Sequence, residues 1–265
     1  MRIDPTARIA SGVELAPEVE VGPGVIIESP SRIGRGTRIL AHAYIGPYTT
    51  IGEHNLIGFG AIIGYDPQDY AFTGAESYTI IGDHNLIREY VTIHRGTKPG
   101  STTRVGSHNF LMATSHFAHN TDLGDHIIVA NGALLGGYVA VADRAFISGN
   151  CVIHQFCRIG TLALMRGGAR TSRDVPPYSI LDGDHIVRGL NLVGLKRAGF
   201  TADQIRPLRQ AFQVLFFRRG NLSLAAARVE QEVPWTPEVD LLLEFIRTSK
   251  RGVALGPRQV ADADL

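Results

Sequence analysis

A six-residue period runs through most of this chain. Stepping forward from Ile3 six residues at a time gives Ile9, Leu15, Val21, Ile27, Ile33, Ile39, Ile45, Ile51, Ile57 and Ile63. The series resumes at Ile81, Ile87 and Ile93 and again from Val105 through Phe117, Leu135 and Ile153 to Met165; Asp69, Ala75 and Pro99 interrupt it. Such a period fits neither a helix of 3.6 residues per turn nor the two-residue alternation of a strand. It fits a parallel β-helix of hexapeptide repeats, an all-β solenoid in which each hexad is one short strand plus a turn and its apolar residue points inward. Three hexads then close one triangular coil, and residues about 18 apart stack roughly 4.8 Å from each other. Glycine often follows the apolar position, as at Gly34, Gly46, Gly52 and Gly58. We expect it there for the unusual backbone angles of a tight corner.

The interruptions bracket two loop excursions, 66–79 and 97–104, after which the phase of six returns unchanged. Loops thrown out from a rigid scaffold are where binding residues concentrate. The repeat ends at Asp174-Val175-Pro176-Pro177. Helical signals follow. Thr201 and Gln204 form a capping box with Phe200 placed to staple onto Ile205, and Gly220 closes that helix. A second helix fits 223–232, and a third starts at Thr236-Pro237 and runs to about Ser249. The expected organisation is a solenoid over 1–189 and a small C-terminal α-helical domain over 190–265.

Composition excludes several function classes. With a formal net charge of +1, nothing global attracts nucleic acid or an anionic membrane, so an anionic partner needs a local patch. No stretch approaches the ~20 apolar residues of a membrane span. The N-terminal MRIDPTARIASGVEL carries charge and proline where a signal peptide needs an apolar run. Two cysteines, Cys151 and Cys157, are too few for a disulfide framework and fall on different walls of the coil. A reducing, cytoplasmic setting fits.

The segment Leu111–Asn120 is the richest in chemistry. His116 and His119 flank the inward Phe117, so both project from the outside of one coil. His154 comes 35 residues after His119, about two coils, which puts the two roughly 10 Å apart on one edge. Between them lies Leu135-Gly136-Gly137-Tyr138. Imidazole titrates near neutrality and suits proton abstraction from a hydroxyl. A backbone N–H in a glycine-rich corner can hold a developing oxyanion. Two other readings stay open for the cluster: ordinary surface histidines, and a zinc site combining His84 with His116 and His119.

The strings IHRGT (93–97), SHFAH (115–119), HQFC (154–157), DVPPY (174–178) and GLKRAGF (194–200) together resemble the O-acyltransferase family that acylates UDP-N-acetylglucosamine at the start of lipid A biosynthesis. The similarity runs nearly end to end. It implies a homotrimer of left-handed β-helices with active sites between subunits. It also implies transfer of a (R)-3-hydroxyacyl group from acyl carrier protein to the glucosamine 3-hydroxyl; the carrier with its phosphopantetheine arm is then a substrate, and no metal or other cofactor is needed. By position, His119 matches the family's general base and the Gly137 backbone its oxyanion donor. Asp69, His116 and His154 match substrate-contacting residues, while Gln155, Asn191 and Arg197 match positions near the nucleotide. Gly167 falls where the family limits acyl-chain length, and its missing side chain implies room for a longer chain.

Departures from the family pattern are Asn120 for an Asp beside the catalytic His, Tyr138 for a His, Ala71 for a Lys, and Val193 and Ala198 for a Glu and an Arg. Asn120 either orients His119 through its carbonyl oxygen or merely occupies a turn that asparagine favours. Other functions compatible with these residues are acyl transfer to a 3-amino or other variant nucleotide sugar, and a catalytically silent β-helix that binds a nucleotide sugar. An acidic carrier protein would find basic residues in the cap, among them Arg218 and Arg219, which also sit where cations favour the end of a helix.

Overall fold

In a computed structural model that describes residues 1–218 and 220–257, the hexads wind into a triangular parallel β-helix. Its three walls hold eleven, nine and eight strands. Wall 1 begins at Arg2–Ile3, wall 2 at Arg8–Ile9 and wall 3 at Glu14–Leu15. Register follows the eighteen-residue coil, with Ile3 beside Val21, Ile9 beside Ile27 and Leu15 beside Ile33. From Val21 to Met165 the hexad apolar residues are buried, each contributing ~2 kcal/mol by leaving water. A second inward position, two residues earlier, carries small side chains such as Val25, Ala43, Ala61, Ala133 and Ala163. Where it is polar the groups pair along the solenoid: Asn85 Nδ2 donates to Asn55 Oδ1 at 3.0 Å, and the Asn109 amide donates to Asn85 Oδ1 at 2.9 Å. Cys151 and Cys157 are buried and free, each just before a strand, Val152–Ile153 of wall 2 and Arg158–Ile159 of wall 3 respectively.

The corners, rather than the glycines after the apolar residue, hold the left-handed backbone. Positive φ recurs three residues past the inward position, at His42, Tyr48, His54, His84, Tyr90, Asn120 and Tyr138, with Gly24, Gly36, Gly60 and Gly132 in the same series. Of the glycines that follow the apolar position, Gly34, Gly46, Gly52 and Gly58 have ordinary φ. They are small because coils stack tightly there. A Cβ on Gly34 would meet Gly52 O at 2.4 Å, and one on Gly46 would meet Gly64 O at 2.2 Å.

Both excursions leave from the corner between walls 2 and 3. Strand Ile62–Tyr65 ends wall 2 and Tyr78–Ile81 opens wall 3, so the first loop spans 66–77; Tyr78 and Thr79 already pair with Thr102 and Thr103. The second spans 95–101, between Thr92–His94 and Thr102–Val105. Leu56 therefore pairs with Leu86 and Leu86 with Phe110. Those coils are longer than eighteen residues by twelve and by six, whole hexads that keep the phase.

At the top of the solenoid an antiparallel hairpin, Ser179–Asp182 with Ile186–Leu190, closes wall 1. Helix α1, Leu192–Arg197, is a short element the sequence signals did not mark; Asn191 caps it. Helix α2, Ala202–Phe212, carries the expected capping box. It does not stop at Gly220 but continues into a π-helical turn, Gln213–Phe217, with Arg218 already extended. Arg218 stands at the C-terminal end of that turn and pairs with Glu232 at 2.7 Å. Arg219 and 258–265 lie outside the described residues. Helices α3 (Leu222–Glu232) and α4 (Pro237–Arg247) follow. The cap is tied down through Asp174, which is 1% exposed and accepts from Arg158 Nε at 3.1 Å and Ser249 Oγ at 2.8 Å. Arg158 in turn donates to Phe245 O and lies over its ring at 4.4 Å.

Candidate active site

The corner between walls 2 and 3 gathers the chemistry. Strand His116–Phe117 runs into the turn at Asn120, and the next coil repeats that turn at Gly137-Tyr138. His119 is buried, 6% exposed, and both its ring nitrogens have partners. Nδ1 lies 3.0 Å from Asn120 Oδ1, and Nε2 lies 3.1 Å from Asp69 Oδ2 in the 66–77 loop. Tyr138 meets the ring edge-on with centroids 5.4 Å apart. The remaining face rests on Gly137, where a Cβ would fall 2.5 Å from His119 Cε1 and 2.6 Å from Nε2.

Asn120 occupies the turn and also faces the histidine. Its φ is +59°, in the left-handed region that asparagine tolerates better than most. Its amide orientation is fixed independently of the histidine, because the backbone N–H of Thr97 donates to Asn120 Oδ1 at 3.0 Å. The same oxygen faces His119 Nδ1, so the Nδ1–H donates to it, and Nε2 is the nitrogen turned toward Asp69 and the cleft.

Behind His119 lie two further imidazoles. His116 Nδ1 is 2.6 Å from Thr92 Oγ1, and burial holds its pKa below the ordinary histidine value. His94, which sequence reasoning assigned no role, packs edge-on against His116 at 4.8 Å. Burial, then the charges of His116 and His119, push His94 down to about 4, so it is neutral near pH 7. Its position in the IHRGT string was visible in the sequence; its packing against His116 was not.

These residues line a cleft of about 460 Å³ that also takes in Gln68, Gly136, His154 and Gln155. His154 is exposed, and Arg251 from the C-terminal segment reaches its Nδ1 at 3.3 Å. The cleft thus brings together Asp69, His116, His119, Gly137, His154 and Gln155, with Asn120 beside them. It leaves out Gly167, Asn191 and Arg197. Gly167 follows the wall 1 strand Leu164–Met165, at the opposite edge of wall 2. Asn191 is buried under the cap, donating to Leu162 O at 2.9 Å and accepting from the Gly194 amide at 3.0 Å. Arg197 is exposed in the last turn of α1. The zinc alternative separates in space: His84 stacks between His54 and His108 on the corner of walls 3 and 1, away from His116 and His119. Among the described residues no group of three His, Cys, Asp or Glu is arranged to hold a metal ion, and no helix is long and apolar enough to cross a membrane.

Comparison with known proteins agrees along the whole chain. Residues 30–65 match the bacterial transferase hexapeptide model (six repeats), and 174–254 match the model for domain 2 of UDP N-acetylglucosamine O-acyltransferase. The acyl-[acyl-carrier-protein]–UDP-N-acetylglucosamine O-acyltransferase of Syntrophobacter fumaroxidans is 43% identical over 96% of this chain and 99% of its own length. The crystal structure of the UDP-N-acetylglucosamine acyltransferase from Bacteroides fragilis superposes with a TM-score of 0.91 at 41% identity, over 94% of this chain and 98% of that one. The Arabidopsis enzyme gives 0.85 at 33% identity, over 95% and 99%. The fold is accordingly the left-handed form of the parallel β-helix. With the hexapeptide scaffold and the second domain both matched, and 43% identity over nearly the full length of a relative, this chain belongs to the UDP-N-acetylglucosamine O-acyltransferase family.

Proposed function

We propose that this chain transfers a (R)-3-hydroxyacyl group from acyl carrier protein to the 3-hydroxyl of UDP-N-acetylglucosamine, the first step of lipid A biosynthesis, with His119 as general base. One observation carries the reading: His119 is held by Nδ1 on Asn120 while Nε2 faces the cleft beside Asp69 and the Gly137 backbone. The sugar hydroxyl gives its proton to Nε2 as its oxygen bonds to the thioester carbonyl carbon. The carbonyl oxygen becomes an oxyanion that accepts from the Gly137 N–H. As the tetrahedral intermediate collapses, the carbon–sulfur bond breaks and the imidazolium returns the proton to the departing thiolate. Asn120 supplies orientation without charge, and the Asp69 carboxylate supplies the negative charge that favours the imidazolium. No cofactor enters these steps.

The residues left out of the cleft support a further part of the reading. Gly167, Asn191 and Arg197 cannot reach His119 in one chain, because wall 2 and the cap separate them. A homotrimer that apposes one subunit's wall 2–3 corner to a neighbour's wall 1–2 corner and cap completes the site, placing Gly167 along the acyl groove and Arg197 near the nucleotide. The two free thiols fit a cytoplasmic enzyme. The test is incubation of the purified protein with UDP-N-acetylglucosamine and a panel of 3-hydroxyacyl carrier proteins, beside His119→Ala. Acylated sugar from the natural sequence alone supports the reading; product with only a 3-amino nucleotide sugar, or none with any acceptor, overturns it.

A further inference from the structure

We infer that Arg95 is the positioning residue that sets Asp69 against His119, gripping the 66–77 loop on both sides of that carboxylate; this rests on the proposed role of the His119 corner. Arg95 is 6% exposed, and its backbone N–H donates to Tyr65 O at 3.0 Å, where the loop departs. Its guanidinium then holds two points on the loop. Nη2 lies 2.8 Å from Asp66 Oδ1, three residues before Asp69, and the cation sits 5.1 Å from the ring of Phe72, three residues after it. Tyr48, on the scaffold corner, meets the cation at 5.8 Å. Between the two grips the loop folds on itself: Asp69 Oδ1 accepts from the Ala71 amide at 2.9 Å and the Phe72 amide donates to Asp69 O at 3.0 Å. That leaves Asp69 Oδ2 aimed at His119 Nε2.

Packing alone is a poor account of this arginine. Nε and Nη1 are buried without a hydrogen-bond partner, an arrangement that costs stability. Aromatic faces and one carboxylate offset part of that cost. What the arrangement provides is geometry, since a planar fork can hold Asp66 by its edge and Phe72 by its face at once. A lysine ammonium offers neither the fork nor the stacking plane.

The experiment is a double-mutant cycle on the full-length protein, measuring kcat and KM for both substrates together with the melting temperature. Arg95→Lys and Phe72→Leu should each lower kcat by about 10- to 100-fold, the range expected when a reacting group is misplaced by about 1 Å. Each should do little further harm in an Asp69→Asn background, because the aim of the carboxylate is already lost. Fully additive losses, or Arg95→Lys with kcat within twofold of the natural sequence, overturn the inference and leave Arg95 as packing. A fall in melting temperature with kcat per folded molecule unchanged does the same. If Arg95→Lys fails to fold, Phe72→Leu carries the test from the other side of the guanidinium. If Asp69→Asn and His119→Ala are themselves fully active, the site reading fails instead, an outcome the cycle separates from additivity.

Discussion

Replacing Gly137 by alanine should disable this enzyme without unfolding it. The added Cβ would stand 2.5 Å from His119 Cε1 and 2.6 Å from Nε2, whereas carbon atoms in contact settle near 3.5 Å. The imidazole must therefore shift by about 1 Å. It is held at both nitrogens, by Asn120 Oδ1 at 3.0 Å and Asp69 Oδ2 at 3.1 Å, and a shift of that size takes at least one contact beyond hydrogen-bonding range. A misplacement of about 1 Å costs on the order of 100-fold in rate, or ~2.7 kcal/mol of barrier. The backbone does not resist the change, since Gly137 has no positive φ and the same hexad position carries Ala113, Asn131 and Gln155. Gly136→Ala is the contrasting control: its Cβ would lie 2.7 Å from the Gln155 amide nitrogen and 3.1 Å from Ile153 O, both backbone, so it should lower the melting temperature. Single-turnover acyl transfer and thermal unfolding on the two variants decide the matter. Gly137→Ala with kcat within threefold of the natural sequence would show that the ring moves freely and that its placement is not what the corner provides.

Removing the proposed base, His119→Ala, should lower transfer by about 10²–10⁴ with the melting temperature held, read by product formation from UDP-N-acetylglucosamine. Asn120→Asp should keep activity, since a carboxylate oxygen can take both hydrogen bonds; Asn120→Ala should lose about tenfold or more and destabilise the left-handed corner, seen in kcat and melting together. His94 gives a pH signature. With its native pKa pushed down to about 4 against ~6.5 unfolded, the unfolded chain binds the proton more readily between those values. The stability present above pH 6.5 should therefore fall by about 1.4 kcal/mol per pH unit on acidification to about pH 4. Urea unfolding at pH 7 and 5 should show that loss, and His94→Asn should flatten it. Gly167→Met should shift acyl preference toward shorter chains by ~0.8 kcal/mol per excluded CH₂; an unchanged chain-length profile would place the ruler elsewhere.

The solenoid was legible because its constraint is local and repeated. An apolar residue every sixth position fixes which side of each strand faces inward, and loops of twelve and six extra residues leave that phase intact. The reason for the glycines was not legible, since single-sequence reasoning sees a permissive residue but not the coil stacked against it. The actual left-handed corner backbone sits three residues past most inward positions, on histidine, tyrosine and asparagine more often than on glycine. In the cap, flanking residues announced α2 and α4, and a helix was expected over 223–232, where α3 runs. The π-helical turn at Gln213–Phe217 shows no such signal, because it reflects how α2 ends against its neighbours.

The site was legible in the parts that one corner repeats. His116, His119, Gly137 and His154 lie at consecutive levels of the same edge, so counting hexads brings them together. Asp69 and Arg95 escape that counting, since they lie in excursions whose paths no period describes. Asn120 shows where such reasoning stops. Its residue type allows either an acceptor or a donor toward His119, and the choice is made by a third group, the Thr97 N–H, which arrives from the second excursion 23 residues earlier in the chain. A donor already pointing at the amide leaves only its oxygen for the imidazole. The partner of His119 Nδ1 therefore depends on where the 95–101 loop puts Thr97 as much as on the residue beside the ring. A change in that loop that withdraws the Thr97 amide would free the asparagine to turn and would impair His119 without touching it.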